Sequence, residues 1–237
     1  VQSFGFKSYL PIGKPENVVE NLSWWGSDEI LIFDIKSKYN QLLEPNFSMI
    51  SKICKRDLST PITYSGRINN TKHALDVINL GVERIGLGNI FLKDRIQVKK
   101  ISEAVGSQAV ILILNCLYFK NKLFVKDISN NKYILYTDLE ESLKSLKNFF
   151  SEILVIDILN EGSNGNFNLN ILDNIKLKKK MILYGGMFNN KKISKCLNKK
   201  LVSSIAIGNQ LNFKEHSYQL LKKKLNSNLL RPELYNI

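Results

Sequence analysis

Glycines recur where short apolar runs end: Gly66 and Gly88-Asn89 early in the chain, then Gly186 and Gly208-Asn209 about 120 residues later. Glycine at such a turn lets backbone N–H groups approach an anion closely, and a helix starting beyond it adds partial positive charge. The two related pairs predict two phosphate cradles on opposite sides of one mouth, with Gly162 in the same kind of position. The plainer role of these glycines is the relief of tight turns. Asp34 ends the run Ile30-Leu31-Ile32-Phe33, Asp157 ends a matching run, and Asn115 ends the run between them. A carboxylate facing a ligand serves as general acid or base, with a pKa tuned by burial. Asn115 orients a proton through its amide but does not shuttle one, and Asp34 has a second reading as a cap or loop anchor. Glu29, Arg84 and Glu152 stand at the opposite ends of their runs, as an ion-pair ring or as exposed loop charges.

Placing these residues requires strands. Seven β-branched apolar runs recur: Ile30 to Phe33, Ile62 to Tyr64, Ile85 to Leu87, Ala109 to Leu114, Ile153 to Ile158, Met181 to Tyr184 and Ser204 to Ile207. Each reads as a strand buried on both faces. Amphipathic stretches separate most of them, such as Glu16 to Trp25 after Pro15, Lys72 to Leu80 after Asn70 and Ile96 to Val105 after Asp94. Such start signals and helical periods, alternating with strands, predict a parallel sheet.

The two halves match each other. Glu29-Ile30-Leu31-Ile32-Phe33-Asp34 returns as Glu152-Ile153-Leu154-Val155-Ile156-Asp157, Ile62-Thr63-Tyr64 as Ile182-Leu183-Tyr184, and Ile85-Gly86-Leu87-Gly88-Asn89 as Ile205-Ala206-Ile207-Gly208-Asn209. Three matches in one order predict a duplicated half-barrel. The run at Ala109 has no earlier counterpart, so the expected fold is a (βα)₈ TIM barrel over residues 1–237 as one domain, N-terminally incomplete, with its first strand missing and Val1 to Phe6 returning from the first loop. An open seven-stranded doubly wound sheet is the alternative that the repeat disfavours.

Composition narrows the function classes. The 34 Lys and Arg against 21 Asp and Glu give a net charge of +13, but the lysine runs lie in Asn- and Ile-rich stretches that read as solvated helix faces. A basic nucleic-acid-binding domain is therefore a minor reading, and no nucleic acid is the expected partner. Cys54, Cys116 and Cys196 are unpaired in spacing, and His73 and His216 are isolated. Neither a disulfide framework nor a metal site is expected, and the compartment reads as cytoplasmic. No apolar run is long enough to span a bilayer and no signal pattern opens the chain, so no membrane association is expected.

The chain resembles the cyclase subunit of imidazole glycerol phosphate synthase, a barrel built from duplicated halves. Gly13-Lys14-Pro15, Asp28-Glu29-Ile30-Leu31-Ile32-Phe33-Asp34-Ile35, Gly106-Ser107-Gln108-Ala109-Val110, Glu152-Ile153-Leu154 and Gly162 carry the resemblance, which runs from Val1 to about Leu225. It implies that a class I glutaminase, in a heterodimer with the barrel, delivers ammonia through the barrel floor to a phosphorylated sugar-like substrate at the mouth. It implies Glu29, Arg84 and Glu152 as the floor gate. It also implies Gly88-Asn89 on one side, and Gly162, Gly186 and Gly208-Asn209 on the other, as phosphate contacts, with no cofactor.

The catalytic positions differ. One family aspartate lies on the absent first strand, and the other falls at Asn115. The family's three glycines after the third strand are Ser65-Gly66-Arg67 here, and a first-loop lysine falls at Gln2. Exchanging a proton-shuttling carboxylate for an amide removes a factor of about 10² to 10⁴ in rate. A retained gate under an altered mouth suggests a paralogue similar to those encoded with surface-polysaccharide genes, passing ammonia toward a separate sugar amidotransferase. The alternative is a working cyclase-lyase of histidine biosynthesis that uses Asp34 or a first-strand carboxylate.

Overall fold

The computed structural model describes residues 1–35, 43–187, 190–212 and 216–225. In chain order these form β1 (Gln2–Phe4), β2 (Ser8–Leu10), α1 (Pro15–Trp24), β3 (Ile30–Phe33), α2 (Phe47–Cys54), β4 (Ile62–Ser65), α3 (Thr71–Asn79) and β5 (Arg84–Leu87). Next come α4 (Ile90–Lys93), α5 (Arg95–Val105), β6 (Val110–Phe119), β7 (Lys122–Asp127), β8 (Lys132–Leu135), α6 (Tyr136–Leu146), β9 (Glu152–Asp157) and α7 (Asn170–Asn174). The last are β10 (Lys180–Tyr184), α8 (Asn190–Leu197), β11 (Val202–Ile205) and α9 (Ser217–Leu225).

Seven strands pair in parallel and in strict sequence order, β3-β4-β5-β6-β9-β10-β11. An open doubly wound sheet reverses its strand order at a switch point. A sheet that never reverses winds in one sense, so this is the barrel arrangement, with seven of its eight strands among the described residues. The expectation that every strand is buried on both faces fails at β3 and β11, which are half exposed, whereas β6 and β9 are buried almost throughout. Among the described residues β3 and β11 are the two ends of the strand order, each paired with a strand on one side. The strand expected at Ser204 to Ile207 begins earlier, at Val202, because Met181 pairs with Val202.

Helix starts follow local chemistry. Pro15 opens α1 with its fixed φ, and Asn46, Asn70 and Asp94 cap α2, α3 and α5 by accepting from the N–H groups of Met49, His73 and Gln97. Gly106, at φ +85°, stops α5 and turns the chain into β6.

Alternation along the strands separates two cores. Val110, Leu112 and Leu114 pack outward under the helices, while Ile111 and Ile113 face inward with Leu154, Ile156 and Ile182. Each side chain fully withdrawn from water in this way contributes roughly 1.5–3 kcal/mol. The sequence reading misses two antiparallel additions. β7 and β8 extend the sheet from the far end of β6, and β1 pairs with β2 as an N-terminal hairpin.

Candidate functional site

At the floor, where the parallel strands begin, Arg84 stands between two carboxylates. Its Nη1 lies 3.2 Å from Glu29 and its Nη2 lies 2.6 Å from Glu152. Arg84 also donates to the Ser151 hydroxyl at 3.0 Å, Glu29 accepts from Thr63, and Glu152 accepts from Ser203. Residues on or beside β3, β4, β5, β9 and β11 are thus tied across the inside of the barrel. Side-chain exposures of 18–31% leave this cluster in contact with solvent from below. The structure brings together all three residues that the sequence places at the floor.

Above the floor the interior is apolar, filled by Leu31, Ile111, Ile113, Leu154, Ile156 and Ile182. Asn115, opposite Ile156 and only 5% exposed, lies near the upper end of this column on the same face as Ile111 and Ile113.

The mouth is closed by aromatic rings. Phe6, from the N-terminal hairpin, packs against Phe33 on β3 at 6.5 Å and against Tyr184 on β10 at 6.4 Å, and Phe33 and Tyr184 are 6.0 Å apart. Beneath the hairpin lies Glu161, 1% exposed. Its carboxylate accepts from the Ser3 hydroxyl, the Phe6 N–H and the Tyr184 hydroxyl. Burial first, and the Glu161 charge next, push the Tyr184 phenol far above its ordinary pKa, so it remains a donor. Sequence reading passed over Glu161. Its signal in the sequence is weaker than that of Asp34, since it stands four residues past Asp157 at the end of β9, directly before Gly162.

Asp34 is engaged rather than open. Its Oδ2 accepts from Tyr64 at 2.7 Å and from Arg67 at 2.6 Å, with the Asp34 and Arg67 side chains 5% and 10% exposed. Gly66 makes this contact possible, since a Cβ there would stand 2.6 Å from that of Asp34. In the second half the glycine against Asp157 is Gly185, one residue before the Gly186 that the repeat matches to Gly66. Asp157 itself anchors a loop, accepting from the backbone N–H groups of Leu159, Asn160 and Asn168 and from the Asn160 side chain.

The remaining predicted residues separate into two groups. Asn89 donates to Asp127 and Ser129, fixing the turn between β7 and β8, while the space beside Gly88 is open. Gly162 and Asn209 hold the N-terminal hairpin: a Cβ on Gly162 would run into the Ser3 carbonyl, and Asn209 exchanges hydrogen bonds with the Ser3 backbone. Gly162, Gly186, Gly208 and Asn209, with Tyr184 and Gln210, also line a small recess between the ends of β10 and β11. These are the seventh and eighth strands of the barrel order, the place where barrels often bind phosphate beside a short extra helix, here Asn209–Asn212.

Among the described residues, no group of three or more His, Cys, Asp or Glu side chains could hold a metal ion, and no helix is long and apolar enough to cross a membrane.

A family model described as "Histidine biosynthesis protein" matches residues 2–217. The chain is 24% identical over 176 residues to the "Putative imidazole glycerol phosphate synthase subunit hisF2" of Vibrio vulnificus, covering 74% of this chain and 64% of that protein. It is 31% identical over 117 residues to the protein of the same name in Pseudomonas aeruginosa, covering 49% and 45%. It is also 24% identical over 234 residues to the "Imidazole glycerol phosphate synthase subunit HisF" of Clostridium botulinum strain 657, covering 95% and 90%. The matched region thus spans less than two thirds of the first two relatives. With the family pattern running through its sheet from hairpin to last strand, this chain belongs to the histidine biosynthesis protein family, as a divergent relative of the barrel subunits of imidazole glycerol phosphate synthase.

Proposed function

We propose that this chain is the barrel subunit of a glutamine amidotransferase complex: a class I glutaminase docks at the floor, and ammonia passes the Glu29–Arg84–Glu152 cluster into the barrel interior. One arrangement carries the reading, a charged cluster spanning the floor directly beneath an apolar column. Ammonia is small and neutral, whereas ammonium and other ions leave water for an apolar interior only at high free-energy cost. An ion-paired entrance below apolar walls therefore passes the neutral molecule and excludes its charged forms.

At the other end, Asn115 supplies an amide where proton transfer calls for an acid or base, and Phe6 occupies the mouth. These features favour delivery of ammonia to an acceptor, a phosphorylated sugar or a separate sugar amidotransferase of surface-polysaccharide synthesis, over efficient cyclisation at Asn115. The reaction takes place in the cytoplasm and requires no cofactor in this reading.

Co-purification of the chain with the class I glutaminase of the same genome, followed by glutamine turnover, tests the reading. A stable complex with raised turnover is expected. Soluble protein that neither binds the glutaminase nor raises its turnover overturns it.

A further inference from the structure

The net positive charge has a location. Between Asn174 and Lys200 the chain has nine lysines and no acidic residue. Lys191, Lys192 and Lys195 lie on α8, and the other six, Lys176, Lys178, Lys179, Lys180, Lys199 and Lys200, lie on the connections leading into β10 and β11 or at the start of β10. Because the strands are parallel, those connections open on the floor, not the mouth. The charge is therefore at the wrong end to draw a phosphorylated ligand into the mouth.

Local contacts fix the cluster. The Lys179 ammonium donates to the Phe150 carbonyl at 2.7 Å, next to the start of β9, and Lys180 reaches the Lys200 carbonyl at 3.4 Å. Burial, and then the charge of nearby Lys147, lower the pKa of Lys179. Asp173 lies 3.9 Å from Lys199, and Glu152, tied to Arg84, stands opposite Lys180 on β9. The floor under β3, β4 and β5 differs. There acids and bases are interleaved: Asp28 pairs with Lys222, Glu20 with Arg56 and Glu29 with Arg84, Asp57 and Glu83 are exposed, and Trp24, 48% exposed, stands on the rim.

We infer that the lysine sector beneath β10 and β11 is a docking surface for an acidic face of the glutaminase partner, setting the one orientation in which that partner covers the Arg84 cluster. This rests on the proposed function above and adds to it the chemistry of the contact. A face with its excess charge on one side fits a folded partner with a matching one-sided excess, and such matching raises association rate and fixes register. A nucleic acid crossing the same floor would meet the exposed acids Asp57 and Glu83 beyond the lysines, and like charges repel.

The test measures binding of the full chain to the class I glutaminase of the same genome, at low and at physiological salt. The charge-reversal variant K180E/K200E is compared with K93E/K100E, which makes the same charge change on exposed positions of α4 and α5 outside the lysine segment. Far-UV circular dichroism and melting temperature confirm that both variants are folded. The expected result is a loss of about tenfold or more in affinity for K180E/K200E, mainly as slower association at low salt, and little change for K93E/K100E. Acid-to-lysine changes on the glutaminase face should restore binding to K180E/K200E. Wild-type binding with equal affinity for both variants overturns the docking surface and leaves the glutaminase partnership standing. Absence of wild-type binding overturns the partnership and the surface together. Tight, steeply salt-dependent binding of a 20-nucleotide single strand, lost in K180E/K200E, assigns the sector to nucleic acid and overturns the proposal.

Discussion

Tyr184 on β10 donates its hydroxyl hydrogen bond to Glu161 across 2.9 Å, and the same carboxylate accepts from Ser3 and Phe6 of the N-terminal hairpin. One buried acid therefore joins the barrel wall to the segment that closes its mouth, with Gly162 leaving room for Ser3.

Replacement Glu161→Gln removes a charge that three donors share. Hydrogen bonds to a buried charged group contribute about 1.5–3 kcal/mol each, so the variant should lose about 2–4 kcal/mol of hairpin docking once the amide's partial replacement is counted. Hydrogen exchange reads this directly. The Phe6 amide should lose protection while amides of β6 and β9 stay slow, and equal loss in both regions would count against a local latch.

Arg67 sits at φ +53°, a left-handed conformation that disfavours side chains, while its guanidinium pairs with buried Asp34. Arg67→Ala keeps the strained backbone and strands the carboxylate, and should destabilise by about 3–5 kcal/mol. Arg67→Gly strands the same carboxylate but relieves the backbone, so it should be about 1 kcal/mol less damaging. Urea denaturation of the pair measures the difference. Equal loss would mean that the backbone at this position is unstrained.

At the floor, Arg84→Met leaves Glu29 and Glu152 facing each other without their bridge. The group is partly exposed, so solvent screening holds the expected loss to about 1–2 kcal/mol by denaturation. In the proposed complex with a class I glutaminase, the variant should release more ammonia to solvent per glutamine consumed, measured with a coupled ammonia assay.

Tyr184, Tyr64 and Tyr218 all have raised phenol pKa values, each chiefly from burial, and Tyr218 is pushed up to about 12. The folded state thus favours the neutral phenols. Their contribution is complete below the ordinary tyrosine pKa near 10, where neither state is ionised. It is lost as pH rises through the folded values, because the unfolded chain ionises first. Melting temperature should hold level with respect to these groups up to about pH 10 and fall from there toward pH 12, with tyrosinate absorbance appearing together with unfolding. Tyrosinate absorbance from all nine tyrosines in the folded chain near pH 10 would contradict the burial.

Much of the scaffold was legible in the sequence. Ile30 to Phe33 matches β3 residue for residue, and the seven parallel strands fall at the seven apolar runs, because an apolar run between caps and turns leaves the backbone few alternatives. The repeat distinguished a barrel from an open sheet, since duplicated halves imply one winding sense. It also set Glu29, Arg84 and Glu152 at one end, since strand starts in a parallel sheet share an edge.

What the sequence left open was decided by which side chains meet across distant segments. Asp34 could be acid, base or anchor until Tyr64 and Arg67 were placed on it. Asn89, Gly162 and Asn209 shared one pattern with the other strand-end residues, yet one holds the β7–β8 turn and two hold the hairpin. Glu161 drew no notice until Ser3, Phe6 and Tyr184 converged on it, because its partners lie 158, 155 and 23 residues away in the chain. The +13 charge was known from composition alone, but only the parallel order of β10 and β11 decided that its densest part lies on the floor. Local patterns fix elements because backbone conformation is set by near neighbours. A site depends on contacts between residues far apart in the chain, and those exist only after the sheet has wound.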